Sequence, residues 1–272
     1  MSDALAARWA AARQEGRAAL IPYITAGFPD AAATAAFLEG AGAAGADVIE
    51  LGVPWSDPVA DGPVIQASTH EALRQGMSLA KALDLLERAK PAVPTIVFSY
   101  LNPILAFGAA KFAARARAAG AAGVLVTDLP VGTDEAVERE LRSSGLPLVR
   151  LVAPTTTAER MRVIAEASEG FVYLISRTGV TGKNERRGTE APRHRGTELR
   201  RMVEALRGQT TLPVAVGFGI SEAAQAAEVA GIADGVVVGS ALVERMKTGG
   251  ARAALAWLKE LRAAIDNARK AA

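Results

Sequence analysis

The chain has 272 residues, half of them hydrophobic and 22% charged, with a formal net charge of +2, a composition that buries a sizeable core and excludes a disordered segment. The absence of cysteine excludes a disulfide framework, a thiolate nucleophile and cysteine-based zinc or iron–sulfur sites. The small positive charge, with no nucleic-acid motif beside it, gives no ground for RNA or DNA binding, and charges, Gly and Pro interrupt every apolar run before it reaches the length of a membrane span.

The opening MSDALAARWAAARQEGR lacks a continuous apolar stretch and predicts an alanine-rich helix over residues 2–15 that caps the bottom of the fold, in a cytoplasmic protein. Short apolar runs then alternate with alanine-rich segments of helical period. ALIPYITAG from Ala19 precedes AAATAAFLEGAGAAGA, DVIELG from Asp47 precedes a helix starting near Pro63, and TIVFSY from Thr95 precedes AKFAARARAAGA. GVLVTDLP starts at Gly123, PLVRLVAP from Pro147 precedes AERMRVIAEAS, and FVYLISR starts at Phe171. PVAVGFG from Pro213 precedes EAAQAAEVAGIA, and GVVVGSA from Gly235 leads to a closing helix from Gly250. Strand then helix, about eight times, is the count of a closed (β/α)8 TIM barrel, an α/β fold here carrying an extra N-terminal helix. No linker divides residues 1–272, which read as a single domain.

Runs such as GVLVTD and GVVVG are apolar at successive positions, as parallel strands covered on both faces are. An open doubly wound sheet is the alternative, and the regular repetition favours closure. The turns AGAD, AGAAG, SSGLP and AGIADG are expected as helix C-caps leading into strands.

In such a barrel the C-terminal strand ends and the loops after them form the active face. That rule gathers Tyr23, Thr25, Glu50, Tyr100, Asn102, Asp128, Tyr173, the stretch from Gly217 to Ser221, Gly239 and Ser240. Three Gly-bearing loops in adjacent units, TGVTG after strand 6, GFGIS after strand 7 and GSA after strand 8, expose backbone N–H groups beside helix starts and form a phosphate cradle. Glu50 lies on a strand among Val48, Ile49 and Leu51, where desolvation raises a carboxyl pKa and suits it to proton transfer near neutral pH. Taken alone it also reads as a salt-bridged glutamate at the barrel rim. Asp61, on a loop stiffened by Pro58 and Pro63, reads as a second acid or as an Asx turn or N-cap before the next helix. Asp57, in Ser-Asp-Pro, reads as a turn former or a partner contact.

Other chemistries are poorly supplied. His70 on a helix and His194 in an Arg-rich loop give neither a metal site nor a Ser-His-Asp triad. The strand ends carry no lysine for a Schiff base, and Lys183 reads as a solvated loop charge. Tyr23, Phe98, Tyr100, Tyr173 and Phe218 fall at or near strand ends, where they belong to the core or together line a flat aromatic pocket.

The segments LIPYITAGFPD, IELGVPWSDPVADGPVIQAS, FSYLNPILAFG, GVLVTDLP, ISRTGVTG, LPVAVGFGIS and DGVVVGSALV, in that order over nearly the whole chain, resemble the tryptophan synthase α-subunit family. The resemblance implies a lyase of tryptophan biosynthesis that cleaves indole-3-glycerol phosphate to indole and glyceraldehyde 3-phosphate. It implies that indole passes to a pyridoxal-phosphate-dependent β subunit within an α2β2 heterotetramer, and that the α chain has no cofactor or metal of its own. A stand-alone lyase and a non-catalytic barrel that activates the β subunit are alternative readings. A barrel acting on another sugar phosphate explains the Gly loops but not the paired acids.

By the same resemblance, Glu50 matches the acid–base glutamate, Asp61 the loop aspartate and Tyr173 the active-site tyrosine. Gly182, Gly219, Gly239 and Ser240 match the phosphate cradle, Tyr23, Ile65, Phe98 and Phe218 the indole pocket, and Thr181 the threonine of the loop after strand 6. Asp57, Pro58 and Asn102, the last in an Asn102-Pro103 turn, are implied contacts with the β subunit. Two features depart from the family: Trp55, where Phe is common, and KNERRGTEAPRHRGTELRR after Gly182, longer and more basic than the family's segment and expected as a solvated loop.

Overall fold

The computed structural model describes residues 3–175, 192–217 and 219–270. Its elements are α1 (Asp3–Gln14), β1 (Ala19–Thr25), α2 (Ala31–Gly40), β2 (Ile49–Gly52), α3 (Pro63–Arg74), α4 (Leu79–Ala89), β3 (Thr95–Ser99), α5 (Leu101–Phe107), α6 (Ala109–Ala118) and β4 (Ala121–Val126). They continue with α7 (Glu135–Arg142), β5 (Leu148–Val152), α8 (Ala158–Ala167), β6 (Val172–Ile175), α9 (Pro192–Arg207), β7 (Val214–Gly217), α10 (Ala223–Ala230), β8 (Gly235–Val238) and α11 (Ser240–Lys270). The strands pair in sequence order into a closed barrel, with parallel registers throughout, including the closing pair of β1 and β8. Each predicted apolar run is a strand, and the closing helix expected from Gly250 is the longer, C-terminal part of α11, which breaks at that residue (φ 64°, ψ −164°).

Strand parity sorts the buried apolar side chains into two clusters. Ala19 and Ile21 on β1, Ile96 on β3, Leu125 on β4, Ala215 on β7 and Val237 on β8 belong to one cluster with Val48 and Phe171. Their neighbours Leu20, Ile24, Ile49, Leu51, Val97 and Val124 pack with the helices in the other. The first cluster is the barrel interior, and the second is the layer between barrel and helices.

The interior is sealed from below. Leu5 and Trp9 of α1 join the interior cluster, with the Trp9 ring 5.4 Å from that of Phe171. A Cβ at Gly235 would lie 2.7 Å from the Trp9 ring, so the first residue of β8 must lack a side chain for the plug to seat. This is the cap expected of the N-terminal helix. Beside it, Asp47 is fully buried and accepts from the backbone N–H of Leu20 at 2.9 Å. Its carboxylate also lies 2.7 Å from Arg8, 2.6 Å from Arg17 and 3.3 Å from Arg262. One carboxylate thereby joins α1, the turn into β1 and α11 at the barrel bottom.

Two expectations need correction. Asn102 and Pro103 do not form a turn, because they are the second and third residues of α5, where proline's missing N–H has no intrahelical partner to lose. The basic stretch after Gly182 is not loop throughout. From Pro192 onward, His194 included, it is the start of the 16-residue helix α9, and the part before Pro192 lies outside the described residues. Among the described residues no helix is long and apolar enough to cross a membrane.

Candidate active site

Glu50 is the second residue of β2, in register with Tyr23 on β1 and Ile96 on β3. It shares the parity of Val48 and therefore points into the barrel, one step above the sealed interior. Its exposure is 1%, and its Oε1 has no hydrogen-bond partner among the described residues. Burial pushes its carboxyl up to about 8. The rim salt bridge, the alternative reading of this residue, is not what the strand presents.

Asp61 approaches from the loop between β2 and α3. Its backbone N–H donates to the Pro58 carbonyl at 3.0 Å, and its carbonyl accepts from Gln66 Nε2 at 2.9 Å. The N-cap of α3 is Gly62, with Pro63 as the first helical residue, so the Asp61 carboxylate is not spent on capping. It accepts instead from the Tyr100 hydroxyl at 3.1 Å. Burial pushes the Asp61 carboxyl up to about 6, while the Tyr100 hydrogen bond pulls the other way.

An aromatic layer lies at the same height. Tyr23 meets Phe98 edge to face with ring centroids 5.3 Å apart. Tyr173 on β6 packs against the top of the interior cluster. Its hydroxyl pKa is raised well above the usual value by burial first, and then by the charges of Glu50 and Asp61. Ile65, buried in the first turn of α3, is steadied by Ser68, whose hydroxyl donates to the Ile65 carbonyl at 2.7 Å. Two glycines make room for this layer. A Cβ at Gly52 would overlap the Tyr23 hydroxyl, and one at Gly217 would overlap that of Tyr173.

The loops expected to cradle a phosphate follow β7 and β8. Gly219 has open space where a side chain would begin and a positive φ of 20°. Gly239 leads into Ser240, the first residue of α11; the first N–H groups of a helix lack intrahelical partners and favour an anion. The start of α10 is different, because Gln225 Oε1 already accepts from the N–H groups of Ser221 at 2.8 Å and Glu222 at 3.2 Å. Of the two helix starts, α11 is thus the one that its own side chains do not fill in this way. Thr181, Gly182 and Phe218 lie outside the described residues. Among the described residues no group of three His, Asp or Glu side chains is placed to hold a metal.

On the outer rim, Asp57 and Asn102 are exposed, whereas Pro58 is buried. Among the described residues the exposed large apolar side chains are Val59, at 78%, and Leu105, at 46%, neither of which the sequence singled out. It places Tyr100 on the active face, in the core or an aromatic pocket, without pairing it to Asp61, and gives Gly52 no role. Tyr100 had a usable signal, its position directly after a strand; Gly52 had none beyond its neighbourhood to Glu50.

A closed barrel whose C-terminal mouth holds two desolvated carboxyls of separated acidity beside an aromatic layer is an enzyme of the (β/α)8-barrel class. The chain belongs to the tryptophan synthase alpha chain family, whose model matches residues 9–271. It is 47% identical to the tryptophan synthase alpha chain of Synechococcus sp. (strain CC9902), over 97% of this chain and 98% of that one. It is 44% identical to the tryptophan synthase alpha chain of Laribacter hongkongensis (strain HLHK9), over 95% and 97% of the two chains. Among solved structures, Mycobacterium tuberculosis tryptophan synthase superposes with a TM-score of 0.86 at 36% identity, over 96% of this chain and 97% of that one. The alpha subunit from Legionella pneumophila str. Paris gives 0.85 at 34% identity, over 97% and 98%.

Proposed function

We propose that this lyase performs the alpha reaction of tryptophan synthase, the cleavage of indole-3-glycerol phosphate to indole and glyceraldehyde 3-phosphate, with Glu50 and Asp61 as its acid–base pair. Indole is a poor leaving group until its C3 is protonated. Glu50, neutral below about 8, donates that proton, and the cation spreads to the ring N–H, which donates to the Asp61 carboxylate. Glu50, now ionised, takes the proton of the side-chain hydroxyl beside the scissile bond. The oxygen's electron pair forms the carbonyl, the C–C bond breaks, and its electrons restore aromatic indole.

In this reading Tyr173 orders the reacting side chain, while Tyr23, Ile65, Phe98 and Phe218 enclose the indole. Gly219, Gly239 and Ser240, with Thr181 and Gly182, hold the phosphate. The indole ring itself takes up the electrons, so we assign the chain no cofactor or metal; pyridoxal phosphate belongs to the β subunit. Indole passes to that subunit, and exposed Asp57 and Asn102 are its proposed contacts in a cytoplasmic α2β2 heterotetramer.

The observation that carries the assignment is a fully buried carboxyl, Glu50, at the barrel's open end, with an oxygen that has no partner among the described residues. The test is release of indole by the purified chain, with and without a β subunit, beside Glu50→Gln and Asp61→Asn. Release that rises with the β subunit and falls by roughly 10²-fold or more in each variant is expected. Undiminished release in a variant would remove the role assigned to that residue.

A further inference from the structure

Asp61 is held in two independent ways. Its backbone is fixed locally, through Pro58 and Gln66. Its carboxylate is held from another part of the fold, since the Tyr100 hydroxyl donates to Oδ2 at 3.1 Å and accepts from the Ala60 N–H at 2.9 Å. Tyr100 is itself a fixed point. It follows β3, has 3% exposure, and its carbonyl accepts from Ser99 Oγ at 2.9 Å. The next N–H, that of Leu101, donates to Asp128 Oδ1 at 2.6 Å, which ties the segment to the loop after β4 as well.

We infer that Tyr100 is a positioning residue for the alpha reaction: its hydroxyl holds the Asp61 carboxylate, and the backbone beside it, in the orientation that receives the indole N–H. The inference rests on the reading of Asp61 as the group that faces the indole cation. A loop carboxylate without this tether samples several rotamers, and each nonproductive one removes the negative charge from where the cation forms. The same hydrogen bond favours the ionised carboxylate, opposing the burial that raises its pKa. The phenol ring is not what matters for these two effects, because its packing survives in phenylalanine.

The test is the pH dependence of kcat/KM for glyceraldehyde 3-phosphate release by the complete chain with its β partner, for Tyr100→Phe and for the chain carrying 3-fluorotyrosine at position 100. Tyr100→Phe is expected to lower kcat/KM about tenfold near neutral pH, with the loss growing as pH falls because the acid limb moves upward. Fluorotyrosine, a stronger donor of nearly the same shape, is expected to move that limb downward, and it tests the idea even if Tyr100→Phe fails to fold. A uniform loss at every pH, or acid limbs that stay in place in both variants, overturns the proposal. Asp61→Asn separates the two readings. If it retains activity the role of Asp61 fails, whereas if it is inactive while both Tyr100 variants behave as the parent, the role of Tyr100 alone fails.

Discussion

Tyr23 and Glu50 are register partners on β1 and β2, each two residues beyond an apolar side chain, Ile21 and Val48, of the interior layer that Trp9 seals from below. That layer withholds water from Glu50 on its lower side and raises its pKa to about 8. Asp61, on the loop above, rises only to about 6. In the proposed mechanism the active form has Glu50 protonated and Asp61 ionised, so kcat/KM for indole release is expected to follow a bell with limbs near these two values. A profile that is flat between about pH 5 and pH 9 would count against the assignment of acid and base.

The same burial carries a cost in stability, with a definite sign. Glu50 has a folded-state pKa raised from 4.5 to about 8, so the folded chain binds its proton more tightly than the unfolded chain does. The associated stability is fully present below 4.5 and is lost as pH rises through about 8. Glu50→Gln removes the ionisation. Its melting temperature, compared with that of the parent, is therefore expected to gain as pH rises from 5 to about 9. Thermal unfolding at both pH values checks this, and a difference independent of pH would mean that Glu50 is not desolvated in the folded chain.

The barrel and its acids were legible because they are local. Successive apolar residues mark each strand, and alternation from Val48 places Glu50 on the inside once the strand is recognised. The N-terminal plug was legible in outline, though not the bare Gly235 that admits Trp9. Asp47 and Gly52 carry no role in the sequence reading, and Tyr100 only a place at a strand end in the core or an aromatic pocket, because each acts through partners distant in sequence. Asp47 meets Arg262 across 215 residues, and Tyr100 meets Asp61 across 39. The helix at Asn102 and Pro103 was missed for a different reason: Asn-Pro is a turn signal, but proline is also tolerated in the first turn of a helix.

Asp47 gives a prediction about stability without catalysis. Asp47→Ala leaves Arg8, Arg17 and Arg262 facing one another without their shared carboxylate, and removes the acceptor of the Leu20 N–H. Losing one partner of a buried ionic cluster costs about 3–5 kcal/mol. Because the cluster lies at the closed end of the barrel, kcat/KM of the folded fraction is expected to stay within about twofold. Urea unfolding followed by a rate measurement at low temperature checks both halves. A loss below about 1 kcal/mol would show that Glu15 beside Arg17, Asp266 beside Arg262, and water suffice for the three arginines.

Gly217 gives a prediction in which packing and catalysis are joined. A Cβ there would overlap the Tyr173 hydroxyl and lie 2.7 Å from Cζ and 2.8 Å from Cε1. Gly217→Ala must therefore displace the Tyr173 ring from its place against β7. A displacement of that kind is expected to lower kcat/KM about tenfold or more while the fold persists. Tyr173→Phe removes only the hydroxyl overlap and leaves the ring contacts, so it relieves the clash in part; Tyr173→Leu removes the ring altogether. In a double-mutant cycle, adding Gly217→Ala to Tyr173→Leu should have little further effect on kcat/KM, giving a coupling of about 1 kcal/mol or more. Additive losses in that cycle would mean that Gly217 acts on the substrate side of the barrel mouth rather than through the tyrosine.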